Sequence, residues 1–369
     1  MSFIKNIFGK SEEPIKSYAD FWAWFGKNEK TFAKVVKERG DIERDFFDKV
    51  TPKLNQLIDG LFLLTGGGEI TELVFTPDGD IKKVVFAEDL VAAAPAIEGW
   101  TFLPLKPDMG DGFYLTMSGN KVSLDTLHFY SKESWERPDE ISIIAVHDDM
   151  NDKNRDALTN GVYIFLDNFL GELAFATTID DLKVVEKNEM SGDLVPIKNL
   201  RKYLSDRQAS FVEKYEGSRF NTDEDLFSMM EGELECGVPL IAVVNTTLLM
   251  WDRKPSHPWV AGIAFEYPDT GNNGMPDETA YKLLSEIEEE ILSELKYSDG
   301  YLNIGRETAK NIRTVYFACK DFRKPSKIFD RIQKKNSGRF GIDFNIYKDK
   351  YWQSFDRFLP TEGDAGVAS

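Results

Sequence analysis

Cysteine is almost missing: Cys236 and Cys319 are the only two in 369 residues, which excludes a disulfide framework, and their wide separation offers no metal-ligand spacing. A reducing, cytoplasmic setting is expected. Histidine is equally scarce. His128, His147 and His257 stand at no i, i+4 spacing and beside no Cys-x-x-Cys, so no zinc pattern forms. No apolar run approaches the roughly 18–20 residues of a membrane-spanning helix. The opening stretch carries Phe3, Ile4, Ile7 and Phe8 among lysines without a long apolar core or a cleavage site, so residues 1–15 are expected to be a flexible N-terminus and not a signal peptide. Positive charge is in deficit: 45 Lys+Arg face 63 Asp+Glu, net −18, a field that repels nucleic acid and anionic lipid. Nucleotide and hydrolase signatures are missing too. Gly66-Gly67-Gly68 is followed by no Gly-Lys-Ser/Thr and reads as a hairpin turn, and no Gly-x-Ser-x-Gly occurs.

What is present is ample apolar material, 42% of residues with 13% aromatic, enough for more than one core. Charge is uneven: residues 1–234 carry 43 acidic and 27 basic side chains, residues 235–369 only 20 and 18. The polar stretch 205–238, with its acidic tract Asp223–Glu235, is expected to be a linker between an acidic α+β domain, 16–204, and a second domain, 239–360. Residues 361–369 read as a disordered tail.

In the first domain, Phe21, Trp24, Phe25, Phe32, Val35 and Val36, and then Ile42 through Leu61, recur at helical steps. The aromatics read as core and not as a cage around a ligand. Strands are expected at 61–64, 69–76 and 82–86 as a meander, then at 100–105, 113–117, 122–130, 140–146 and 182–185, with a helix over 153–170. The fold class is α+β with a mainly antiparallel sheet.

In the second domain, Trp259–Tyr267 alternates in period two, a helix starts near Asp277 and runs to about Leu295, and strands at 301–306 and 313–320 precede a basic helix, 325–335, and a last strand, 340–347. This β-α-β-β-α-β order is that of a ferredoxin-like unit. Its two helices are electrical opposites, net −8 over 266–299 and +8 over 306–350, and their rims are expected to attract.

The stretches Pro239–Asn245, His257-Pro258-Trp259, Asn273–Pro276, Gly305-Arg306-Glu307-Thr308, Arg313–Phe317 and Asp349-Lys350-Tyr351-Trp352 resemble a bacterial domain of unknown function (DUF), family 695, over roughly the C-terminal third. Two departures stand out: Asn311 where a turn glycine is expected, and Lys350 where proline is. The resemblance implies no reaction and no cofactor.

Asp148, Asp149, Asp152 and Asp156 beside His147 suggest a metal, but Ala157 stands where a calcium loop needs glycine and Tyr163 where it needs glutamate, so a polar helix N-terminus is the better reading. No catalytic, cofactor or metal residues are assigned. Partner binding is assigned to Arg306 and Arg313, whose guanidinium forks flank one turn, with Thr308 orienting the loop and Tyr316 and Asn345 on an open sheet face. The alternative is that both arginines tie the turn to carboxylates such as Glu307 or Asp343. The function expected is that of a cytoplasmic acidic interaction protein, a monomer or weak dimer, regulating or inhibiting a protein with a basic surface such as a nuclease or toxin. The alternative is a hydrolase or transferase with its site in the interdomain cleft.

Overall fold

Helix α1, Tyr18–Lys37, begins where Ser17 Oγ accepts the Asp20 N–H at 3.2 Å, a cap that satisfies one of the donors a helix start leaves unpaired. Its inner face, Phe21, Trp22, Phe25 and Phe32, is buried against Phe46, Phe75 and Trp100. The Trp22 indole donates to Leu90 O at 2.8 Å, and these rings are core, as expected. The computed structural model describes residues 14–189, 191–222 and 224–359. The expected tail, 361–369, and residues 1–13 lie outside them, while Ile15 is buried and donates its N–H to Gln56 Oε1 at 2.8 Å.

The chain divides into two compact units, residues 1–107 and 108–369, both mixed α+β. In the first, α1 and α2 (Asp48–Leu54) flank a π-helical turn, Glu43–Phe47. Strands β1 (Phe62–Gly67) and β2 (Thr71–Thr76) form an antiparallel hairpin, and helix α3 (Ile81–Ala92) crosses to β3 (Trp100–Pro104), parallel to β2. The expected strand at 82–86 is therefore helical. Asp80 caps it through the Lys82 N–H at 3.1 Å, and Val84, Val85, Ala87 and Leu90 are buried along one helical face. The local β preference of Val-Val-Phe gives way to that face.

The second unit opens with the hairpin β4 (Leu115–Met117) and β5 (Asn120–Val122), followed by β6 (Leu127–Ser131) and β7 (Ser142–His147). Helices α4 (Arg155–Leu170) and α5 (Glu172–Thr178) lead to β8 (Asp181–Glu186), and a two-residue β9 (Val195–Pro196) precedes α6 (Leu200–Tyr215). The sheet order is β8-β7-β6-β9, and it packs with α4 and α6 around Phe129, Ile143, Phe165, Leu166 and Leu204.

The expected linker, 205–238, lies inside this unit. It holds the second half of α6 and a strand, β10 (Phe227–Glu233), paired along its whole length with β11 (Pro239–Asn245). Polarity marks this stretch because it combines turns on either side of β10 with an exposed edge strand. Next come the short α7 (Thr246–Leu249), β12 (Trp259–Glu266), α8 (Glu278–Glu294), β13 (Tyr301–Ala309), β14 (Ile312–Cys319), α9 (Arg323–Asn336) and β15 (Gly341–Lys348). These strands form one six-stranded antiparallel sheet in the order β10-β11-β13-β14-β12-β15. Asp277 caps α8 through the Ala280 N–H at 2.8 Å. At the β13–β14 turn Lys310 and Asn311 take φ of +50° and +62°, so asparagine holds the left-handed position that glycine was expected to fill.

Candidate functional site

The five residues assigned from sequence fall on two faces of the sheet. Strand alternation decides this: Thr308 pairs with Arg313 and Arg306 with Val315, whereas Tyr316 pairs with Gly262 and Gly262 with Asn345. Arg306, Thr308 and Arg313 lie under α8. There Glu288, 6% exposed, accepts Arg306 Nη1 on Oε2 at 2.6 Å and Arg313 Nη1 on Oε1 at 3.1 Å. Arg313, 4% exposed, also donates from Nε to Thr308 Oγ1 at 3.1 Å and stacks its guanidinium over Tyr281. Both forks are thus directed at one buried carboxylate on the neighbouring helix, not at Glu307 or Asp343.

On the other face, Tyr316 lies flat across the sheet. A Cβ on Gly262 would sit 3.1 Å from its ring, and Gly305, at φ +139°, leaves no room for a Cβ beside the Val243 carbonyl. The Tyr316 hydroxyl donates to Glu307, which also takes Arg357 Nη2 at 2.9 Å, and burial and then that carboxylate raise the phenol well above its ordinary value. Asn345 is exposed. Half of this face is closed by the chain itself: Trp352, Phe355 and Phe358 pack with Val260, Leu302, Ala318 and Leu248, and Trp352 donates to His257 O at 2.9 Å. The open face expected from its polar residues is therefore open at the end bearing Ala264, Thr314, Asp343 and Asn345.

A second constellation had no signal at short range. Asp180 receives Lys348 Nζ on one oxygen and Lys350 Nζ on the other, both at 2.7 Å, together with the Ile141 N–H at 2.7 Å. Lys350 also donates to Asp139 O at 2.6 Å, and Lys348 to Thr177 O at 2.7 Å. Burial, assisted by the charge of Lys350 and opposed by Asp180, pushes Lys348 down to about 8. Burial raises the Asp139 carboxyl, but bonds from Lys214, Tyr351 and Tyr215 outweigh it and hold the group below its ordinary value. The Asp349-Lys350-Tyr351-Trp352 motif thus bolts the six-stranded sheet to the β6–β8 region. Lys348 at the end of β15 and Lys350 in the turn after it were the available clue.

Beside this seam is a cleft of about 560 Å³ lined by Phe211, Ser256, Trp259, Lys320, Lys348 and Lys350. Its cations are engaged: Lys320 Nζ donates to Ser218 O at 2.7 Å, and the two other lysines hold Asp180. Ser256 Oγ lies 2.9 Å from His257 Nδ1, yet it also donates to Arg253 O at 2.7 Å, and burial followed by the Lys320 charge pushes His257 down to about 3. An imidazole held neutral that firmly is a poor base near neutral pH. His147, from the acidic sequence cluster, is buried with Nε2 3.0 Å from Lys121 O, and among the described residues no cluster of His, Cys, Asp or Glu is arranged to hold a metal.

The third surface is the β10 edge. Phe227 and Met229, 48% and 67% exposed, share one face with Glu231 and Glu233. On the other face Ser228, Met230 and Gly232 border a groove of about 730 Å³ whose walls include Leu240, Ala242, Leu249, Met250 and Phe358. Residues 220–252 contain seven acidic side chains and no Lys, Arg or His.

Among the described residues no helix is long and apolar enough to cross a membrane. No curated protein and no solved structure matches the chain. The match lies in the C-terminal third, where residues 237–360 fit the family of unknown function DUF695.

Proposed function

We propose that this chain is an interaction protein that holds a basic partner protein, as a regulator or inhibitor, and not a catalyst. The observation that carries this is the stretch 220–252: thirty-three residues without a cation, part of which forms an exposed strand with apolar and acidic side chains at the rim of a sheet. Charge of one sign at an exposed rim accelerates encounter with a partner of the other sign and rejects like-charged surfaces. The hydrolase or transferase reading has less support, since the cationic cleft beside Ser256 and His257 has its lysines paired and its imidazole held neutral. A net charge of −18 argues against nucleic acid as the partner, and the free, exposed Cys236 fits a reducing cytoplasm.

Within this reading, the scaffold from 259 to 348 is a ferredoxin-like unit. The chain order β12-α8-β13-β14-α9-β15 and the spatial order β13-β14-β12-β15 support it. Its charged helices are matched internally, with Arg331 on Glu290 and Glu294, and Lys335 on Glu290 at 2.7 Å. That leaves the β10 rim as the surface on offer, on a monomer or weak dimer. The test is capture of partners on the full-length protein at low salt. A basic protein retained by the natural chain, released by salt and lost with the Glu231→Lys/Glu233→Lys variant supports the reading. Equal retention by both chains overturns it.

A further inference from the structure

We propose that the outer edge of β10 takes up an extended segment of the partner as a seventh strand, and that this segment alternates basic with apolar residues. The inference rests on the function proposed above and gives it a site and a mode of recognition.

The strand is built as an acceptor. It is seven residues long, pairs without a bulge from Phe227↔Asn245 to Glu233↔Pro239, and stands last in the sheet order, so one side of its backbone has no ladder partner among the described residues. Edges of this kind ordinarily carry a lysine, a proline or a bulge that prevents another strand from adding. β10 has none of the three, and its own charges, Glu231 and Glu233, repel acidic segments and admit basic ones. The opposite edge, β15, ends in Lys348, which is tied to Asp180 and Thr177.

The two faces of β10 prescribe the pattern of the incoming strand. Successive side chains of an added strand point to opposite faces. On one face they meet a largely apolar groove walled by Leu240, Ala242, Leu249 and Met250, whose cation, Arg357, is held by Glu307. On the other they meet Phe227, Met229, Glu231 and Glu233, where the carbon stem of Lys or Arg covers the first two and its charge reaches the last two. No basic side chain of the described residues forms an ion pair with Glu231 or Glu233. Main-chain bonds supply affinity in such strand addition and the alternate side chains supply specificity.

The probe is a short fluorescein-labelled peptide of alternating Val and Lys, titrated by anisotropy against the full-length protein at low salt. Three comparisons accompany it: the same residues grouped as a Val block and a Lys block, the alternating peptide with alternate backbone nitrogens methylated, and a Val-Glu peptide. The alternating Val-Lys peptide is expected to bind at least about tenfold tighter than each of the three. The Met229→Lys/Glu231→Lys variant, changed only at exposed positions, is expected to keep its melting temperature and lose at least about tenfold in affinity. If the grouped and methylated peptides bind as well as the alternating one while the variant weakens all of them, strand addition is wrong and the acidic-surface function stands. If the variant weakens none, both fall. No binding of the alternating peptide overturns the strand proposal, as does a dimer that forms through β10 and excludes the peptide.

Discussion

Glu288 is the residue on which the candidate site turns. A buried carboxylate shared by two guanidiniums is costly to break from either side, because each remaining charge is left without its partner in a poorly solvated place. Glu288→Ala is expected to lower stability by about 3–5 kcal/mol, read by urea unfolding, and Arg313→Ala to lower it while the affinity of each folded molecule for a captured partner stays unchanged. A loss of affinity without loss of stability would return Arg313 to the binding surface. His257 gives a pH dependence of definite sign. Its folded value, about 3, lies below that of an unfolded histidine near 6.5, so the unfolded chain binds the extra proton between those values and stability falls as pH drops below about 6.5. In His257→Gln this part of the acid slope should disappear; equal slopes in both chains would contradict the burial argument. Lys348 works in the alkaline range. With a folded value of about 8 against an ordinary 10.5, the unfolded chain again holds the extra proton. The stability difference between the natural chain and Lys348→Met should therefore grow from pH 8 to about 10.5, and a flat difference would refute the assignment.

At the scale of elements, four of the six strands of the C-terminal sheet were legible because their signals are local and mutually consistent, while β10 was read as linker and β11 was not read as a strand. Alternation over Trp259–Tyr267 matches β12, and Asp277 does cap α8. Helix α3 was not legible. Val84, Val85 and Phe86 read as a strand alone, and only the buried set reaching to Leu90 reveals the helical period. The separation of the assigned residues into the arginine turn and the Tyr316 face follows from strand alternation, since one step along β14 separates Arg313 and Val315 on one face from Tyr316 on the other; the buried Glu288 that both arginines meet lies on a helix and is not legible from that alternation. The closure of that second face by Trp352, Phe355 and Phe358 depends on contacts with strands more than thirty residues earlier, which no short window of sequence contains. Phe355, fully packed against Tyr316 and Phe358, tests this lid. Phe355→Ala should destabilise by about 3–5 kcal/mol in denaturant unfolding, and a cost near zero would mean that the face is not closed by this segment.

For the whole molecule, the acidic excess first located in the N-terminal half has its most cation-poor stretch at 220–252, across the expected boundary. The sheet that carries the DUF695 match therefore also carries the acidic rim, through a strand, β10, that begins before the match does. The Lys348–Asp180–Lys350 seam joins that sheet to the residues before it, so the linker expected from polarity is part of the fold. The central claim is that the rim formed by β10 receives the partner. Hydrogen–deuterium exchange of the full-length protein, alone and with its captured basic partner, measures this directly. The account predicts slower exchange in residues 227–233 with the partner bound and unchanged exchange across 306–316. Slowing confined to 306–316, or slowing nowhere on β10, would contradict it.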